Sequence, residues 1–392
     1  AEGLCSVEIA SQDLPSQTVA YMTAQKPLSG QAGEIVEQLS TEQLIHLACG
    51  EPSRGQESSA LGSAGVSIPG SAAETSSVAA EDPWNVASIV LADGPAGIRL
   101  HQTYQVENGQ VMGRDFLASF ERGYFSQKKE KKGTTYYQYC TAIPVGTLLA
   151  QTWNQDLLHE IGEMIGREME LFQVDLWLAP GMNIHRNPLC GRNFEYYSED
   201  PLVSGMTASA IVRGVQSIAG RGATIKHFAC NNQEDYRMGS DSILSERALR
   251  EIYLKGFEIA VRDAQPMAIM TSYNMINGIH AANHYDLCTK AARDEWGFAG
   301  AIMTDWTTTN ATPRGECTAA GCMRAGNDMV MPGMEMDFES IRTALADGTL
   351  DIMDLKRCIW NTIRIILQSG RYEEAVSYSR QFSGLGTYMT AE

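Results

Sequence analysis

At 392 residues with 44% hydrophobic side chains, the chain can bury a large core, and it exceeds an ordinary single domain unless the fold is a big one such as an α/β barrel. Its 30 basic and 47 acidic side chains leave a formal charge of -17, which repels nucleic acid and anionic membrane surfaces but carries no penalty for a neutral ligand. Nine cysteines, an odd number at irregular spacing, match neither a small disulfide framework nor paired zinc ligands, and they read as the reduced thiols of a cytoplasmic protein. No stretch approaches the ~20 apolar residues of a membrane span, and no apolar leader opens the chain.

The first thirty residues have no period and read as a strap. From Glu34 to Cys49, Ile35, Val36, Leu39, Leu44, Ile45 and Leu47 recur at near-helical spacing, with Thr41 expected to cap a second turn. Residues 50–80 are rich in Gly, Ser and Ala, a composition expected to pack late or not at all. Beyond them, short apolar runs alternate with longer amphipathic segments. The runs Ser88–Ala92, Ile143–Val145, Leu176–Ala179, Ala223–Lys226, Ala268–Thr271, Ala301–Thr304 and Met329–Met331 predict strands; the stretches near 152–172, 203–219, 244–264, 286–296, 315–325, 336–346 and 352–369 predict helices.

Strict alternation is the pattern of a parallel sheet with helical crossovers. About seven repeats, with no GxGxxG turn opening the first, favour an α/β fold of the TIM-like (β/α)8 type, irregular or incomplete, over a dinucleotide-binding sheet. The expected division is an N-terminal strap, helix and linker over 1–80, a barrel over 81–370 and a tail over 371–392. Residues 101–139 break the rhythm with a polar, Lys-rich insertion on the side where barrel loops reach an active site.

Polar residues stand just after nearly every predicted strand. Asp93 follows the first, Arg192 the third, Lys226 and His227 end the fourth, Tyr273 the fifth and Asp305 the sixth. In a barrel these positions converge on one mouth. A sugar ring, ringed by hydroxyls that both donate and accept, needs such a set: Asp93 to accept, Arg192, Lys226, His227 and Arg237 to donate, and Trp306 as an aromatic wall. Breaking a glycosidic bond then needs one carboxylate beneath the anomeric carbon and a second carboxyl group about 5 Å away in retaining enzymes.

Four segments in order, Leu91-Ala92-Asp93-Gly94-Pro95-Ala96-Gly97-Ile98-Arg99, Gly191-Arg192-Asn193-Phe194-Glu195, Lys226-His227-Phe228 with Asn231-Asn232-Gln233-Glu234, and Met303-Thr304-Asp305-Trp306, resemble the barrel domain of glycoside hydrolase family 3. The resemblance covers roughly residues 34–370. It implies that Asp305 is the nucleophile of a retaining, exo-acting β-glucosidase-like enzyme, and that Asp93, Arg192, Lys226, His227, Arg237 and Tyr273 line the first sugar subsite. It implies no cofactor and no metal. The family's acid/base glutamate usually lies in an α/β-sandwich domain, and this chain is expected to be a barrel-only piece whose sandwich domain lies upstream. The helix at 34–49 and the small-residue stretch after it resemble the joining region of members in which that domain precedes the barrel.

Other readings compete at each residue. Asp305 alone could cap the next helix, and Asp93-Gly94-Pro95 alone is a turn. Arg192 and Glu195 could form a structural ion pair. Lys226 could be a Schiff-base lysine, but that chemistry wants an apolar, charge-poor setting. A metal held by His185, His227, Asp305 and Glu195 lacks any HxH or HExxH spacing. A sugar-binding barrel without turnover is the alternative function.

Overall fold

The computed structural model describes residues 28–51, 68–78, 85–108, 110–111, 133–311 and 317–369. The N-terminal strap, most of the linker and the C-terminal tail expected from the sequence lie outside these residues. The main sheet holds six strands: β1 (Ala73–Glu74), β2 (Val90–Asp93), β3 (Leu176–Leu178), β4 (Gly222–Phe228), β5 (Ala268–Thr271) and β6 (Ala301–Met303). They stand side by side in chain order, β1 antiparallel to β2 and the rest parallel.

Two further stretches join the ends of this sheet. Met303 bridges Met329, Val330 bridges Cys49, and Gly50 bridges Thr75 beside β1. The ladder continues through Thr304 N to Met329 O at 2.9 Å, Gly50 N to Val330 O at 2.8 Å and Glu51 N to Glu74 O at 2.9 Å. The wall is therefore a closed but irregular α/β barrel whose first stave runs against the others. Closure leaves no sheet edge in need of a cover.

Alternate side chains of each strand serve two cores, as the period of two demands. Ala92, Trp177, Ile225, Ile269 and Ile302 pack toward the helices between 155 and 264, while Leu91, Leu176, Leu178, Met270 and Met303 pack with the N- and C-terminal helices. The crossover helices form where the apolar period predicts them. Gln155–Leu171 starts at Asn154, whose side chain accepts from Leu157 N, and buries Leu158, Gly162, Ile165, Gly166 and Met169. Its glycines allow a close crossing over Pro201–Gln216, since a Cβ on Gly162 would stand 2.3 Å from Ile211 O.

Three expectations change. Ile143–Val145 is extended but pairs with no strand; it leads into the helix Gly146–Ala150, and its one ladder-like bond runs from Ile143 N to Ala96 O. A run of three apolar residues is too short to separate a strand from the approach to a helix. The helix predicted over 34–49 is two helices, Gly30–Gln38 and Thr41–Leu47, and the cap of the second is Ser40, in a reciprocal pair with Gln43. Residues 68–76 are not a late-packing loop: Ile68, Ser71, Ala72, Ala73, Thr75 and Ser76 are buried, because the small side chains let this segment enter the wall. In the insertion, Thr103–Glu107 pairs with Gln110–Val111 and Thr134–Tyr137 in a small antiparallel sheet. Among the described residues, no helix is long and apolar enough to cross a membrane.

Candidate active site

The C-terminal ends of β2, β4, β5 and β6 open on one face, and the side chains there form a connected polar cluster. Asp93 is the last residue of β2. The turn that follows needs glycine: Gly94 and Gly97 have φ of 123° and 114°, and a Cβ on Gly94 would meet Gly97 O at 1.9 Å. Trp177 Nε1 donates to Gly94 O at 2.9 Å and pins that turn to β3. Asp93 then takes Lys226 Nζ at 2.6 Å on one oxygen and Arg99 Nη2 at 2.7 Å on the other. Burial alone would push its carboxyl up, but Lys226 and Arg99 outweigh burial and hold it well below the usual carboxylate range.

Lys226 is thus a buried lysine in an ion pair, not an amine in a charge-poor pocket. This setting disfavours the Schiff-base reading.

Arg192 does not sit at a strand end. It lies in the long loop after β3, just before the 3-10 turn Asn193–Glu195, and reaches the cluster by its own length. Its Nε donates to Glu195, its Nη2 lies 2.7 Å from His227 Nε2 and its Nη1 is 3.9 Å from Glu234 Oε1. The Arg192–Glu195 pair weighed from the sequence is present, and it orients the guanidinium instead of withdrawing it from the site. Burial works against the cation, but Tyr196, Glu195 and Asp305 more than compensate and keep it firmly protonated.

Asp305 follows β6 and is 8% exposed. Its Oδ1 accepts from Trp306 N at 2.7 Å, and Thr308 Oγ1 donates to Asp305 O at 2.8 Å, so the chain's own turn holds the residue. Oδ2 faces His227 Nε2 at 3.7 Å, beyond hydrogen-bond reach. Burial raises the carboxyl above its ordinary range, with Arg192, Lys226, Trp306 N–H and Arg237 opposing. His227 is pushed well below the imidazole range, first by burial and then by Arg192, Lys226 and Arg237.

Tyr273 follows β5, donates to Trp306 O at 2.9 Å and lies beside Asp305; burial, then Asp305, pushes its phenol up. Arg237 stacks over the Tyr273 ring, 4.9 Å from its centroid, and donates to Glu234 Oε2 at 2.7 Å. Trp306 is buried, with Nε1 unpartnered. Asp93, Arg192, Lys226, His227, Arg237, Tyr273, Asp305 and Trp306 therefore belong to one cluster. Sequence reasoning gave no role to Arg99, Asn183, Tyr196 and Asn231, which buttress it. Arg99 lay inside a quoted motif; for Asn183 the only signal was a polar residue a few positions beyond a strand. No group of three His, Cys, Asp or Glu side chains among the described residues has metal-binding geometry.

The sequence model of the glycosyl hydrolase family 3 N-terminal domain matches residues 125–359. The chain belongs to glycosyl hydrolase family 3. Among the relatives of this family 3 barrel is a β-glucosidase of Ruminococcus albus, 46% identical over 234 residues, which cover 58% of this chain and 24% of that protein. An exo-α-(1→6)-L-arabinopyranosidase of Bifidobacterium breve is 44% identical over 226 residues, 58% of this chain and 29% of the other. The structure of β-glucosidase 3B from Thermotoga neapolitana in complex with α-D-glucose aligns with a TM-score of 0.74 and 39% identity, over 90% of this chain and 44% of its own. The family 3 barrel thus spans about a quarter of these curated relatives and under half of that solved neighbour.

Proposed function

We propose that this chain is the barrel of a retaining, exo-acting β-glycosidase that removes terminal β-D-glucosyl residues, with Asp305 as nucleophile. The observation that carries the reading is the setting of Asp305: one carboxylate oxygen is tied to the main chain by Trp306 N–H, and the buried carboxylate lies beside Tyr273 in the field of Arg192, Lys226 and Arg237. In the first step Asp305 Oδ2 attacks the anomeric carbon and the glycosidic bond breaks, with the leaving oxygen taking a proton from an acid. In the second, water attacks that carbon, gives its proton to the same group and frees Asp305. Asp93, Arg192, Lys226, His227, Arg237 and Tyr273 hold the sugar, and Trp306 walls the pocket. The glucose in the Thermotoga neapolitana structure supports a sugar occupant here.

The acid belongs to a separate α/β-sandwich domain in this proposal. Glu195 and Glu234, the carboxylates beside the cluster, are both engaged by arginines. A cytoplasmic setting belongs to the same reading and is supported by the thiols among the described residues, eight of them free and mostly buried.

The test compares leaving groups. Dinitrophenyl β-glucoside needs little protonation, so the chain should form a glycosyl intermediate from it, and Asp305→Ala should abolish that reaction. Cellobiose should be cleaved about 10²–10⁴-fold more slowly than by the protein with its sandwich domain. A chain that binds glucose and never releases dinitrophenol is a sugar-binding barrel, and the enzyme reading fails.

A further inference from the structure

The donors and acceptors around His227 fit together in one way. Arg192 Nη2 lies 2.7 Å from His227 Nε2. A guanidinium has donors only, so Nε2 must present its lone pair. An Nε2–H, in either the other tautomer or the imidazolium, would set N–H against N–H at that distance. The ring proton therefore sits on Nδ1, whose neighbours are Asn183 Oδ1 at 3.3 Å and the Tyr196 hydroxyl at 3.4 Å.

The amide of Asn183 is itself oriented by main chain. Its Oδ1 accepts from His227 N at 2.8 Å and its Nδ2 donates to His227 O at 2.8 Å. Because a backbone N–H only donates and a backbone carbonyl only accepts, the amide cannot be flipped, and its oxygen is the atom that meets Nδ1. Asn183 is 2% exposed and lies beyond the end of β3, outside the set of side chains assigned to the sugar.

We propose that Asn183 is a positioning residue that fixes His227 as the neutral Nδ1–H tautomer, so that the nitrogen facing Asp305 is a hydrogen-bond acceptor. The consequence reaches the nucleophile. The two atoms stand 3.7 Å apart, and an acceptor Nε2 does not draw Asp305 Oδ2 closer, whereas an Nε2–H would attract that oxygen toward a hydrogen bond. On the glycosidase reading, Nε2 has no N–H to give a sugar hydroxyl, and its one lone pair is held by Arg192.

The charged and titratable groups facing the ring act together. Lys226 from β4, Arg192 and Tyr196 from the loop after β3, Arg237 from the loop after β4 and Asp305 beyond β6 act on it directly, while Glu195, Glu234 and Tyr273 reach it through the two arginines. The cations disfavour a second proton on the ring.

Nitrogen-15 NMR of the histidine-labelled chain, with His227→Gln to assign the signal, should find the proton on Nδ1 and a bare Nε2 across roughly pH 6–8. An Nε2–H or an imidazolium in that range overturns the proposal. Asn183→Asp keeps the acceptor, gives up the amide's donation to His227 O and adds a charge beside Nδ1–H, which raises the ring's pKa. Below that raised value the ring holds a second proton and turnover of dinitrophenyl β-glucoside should fall at least about tenfold; above it turnover should recover, with no such step in the wild type. An equal loss at every pH would mean a structural role only and would contradict the proposal. If the wild type turns over no glycoside, the glycosidase reading fails while the NMR measurement still decides the tautomer.

Discussion

In the proposed mechanism Asp305 must meet two demands that pull against each other. A nucleophile must be ionised, yet burial of this carboxyl makes ionisation costly even with Arg192, Lys226 and Arg237 nearby. Its folded pKa lies above the unfolded one, so it favours the fold most below the unfolded value near about 4, and that contribution is lost as pH rises through the folded pKa. Asp305→Asn removes the charge and should therefore raise Tm at neutral pH. The gain should shrink as pH falls toward about 4, where the wild-type carboxyl is protonated too. Calorimetry of both proteins across that range checks the sign; a lower Tm for the variant at neutral pH would show that the cations outweigh burial. The acid limb of activity should likewise stand above the ordinary Asp range. Asp93 behaves in the opposite sense, since Lys226 and Arg99 keep it charged throughout. Much of this was legible in the sequence, because barrel geometry puts strand-end polar residues in one place. Arg192 was legible as a site residue but not by its position, since it reaches the cluster from a loop. Asn183 was not legible, because its role depends on two main-chain bonds to His227 that no spacing encodes.

At the scale of elements, the turns after the strands do the aiming. The Asp93 turn relies on two glycines with positive φ, and Gly94 also stands against Gly97 O. Gly94→Ala should cost about 1–3 kcal/mol from backbone strain alone, and more from the clash. Because the turn must shift, sugar affinity should fall along with Tm. Isothermal titration with glucose and thermal melts would show both, and an unchanged Tm would mean that the turn tolerates a Cβ. The crossover helices and all five parallel strands were readable from apolar period. Ile143–Val145 misled because three apolar residues at a helix approach look like a strand. The staves at Cys49–Gly50 and Ala73–Glu74 were hidden for the converse reason. Each contributes one or two bonded residues, too few to print an alternating pattern.

Across the whole molecule, closure of the wall gives the site its rigidity. Residues 49–50 and 329–330 seal the barrel, and helix 352–368 ties to the first helix through Lys356 Nζ to Glu37 at 2.7 Å and Trp360 Nε1 to Ser29 O at 3.0 Å. Eight side chains drawn from the loops and strand ends between Asp93 and Trp306 thereby stand on one closed frame, the kind of support that electrostatic catalysis needs in the proposed mechanism. The net charge of -17 leaves that task to local cations at the mouth. The claim that most of this rests on is the identity of the nucleophile. Treating the chain with dinitrophenyl 2-deoxy-2-fluoro-β-glucoside and mapping the product by peptide mass spectrometry addresses it directly. The account predicts one fluoroglucosyl group per chain, on Asp305 and absent from Asp305→Ala; a label on another carboxylate, or full labelling of that variant, would contradict it.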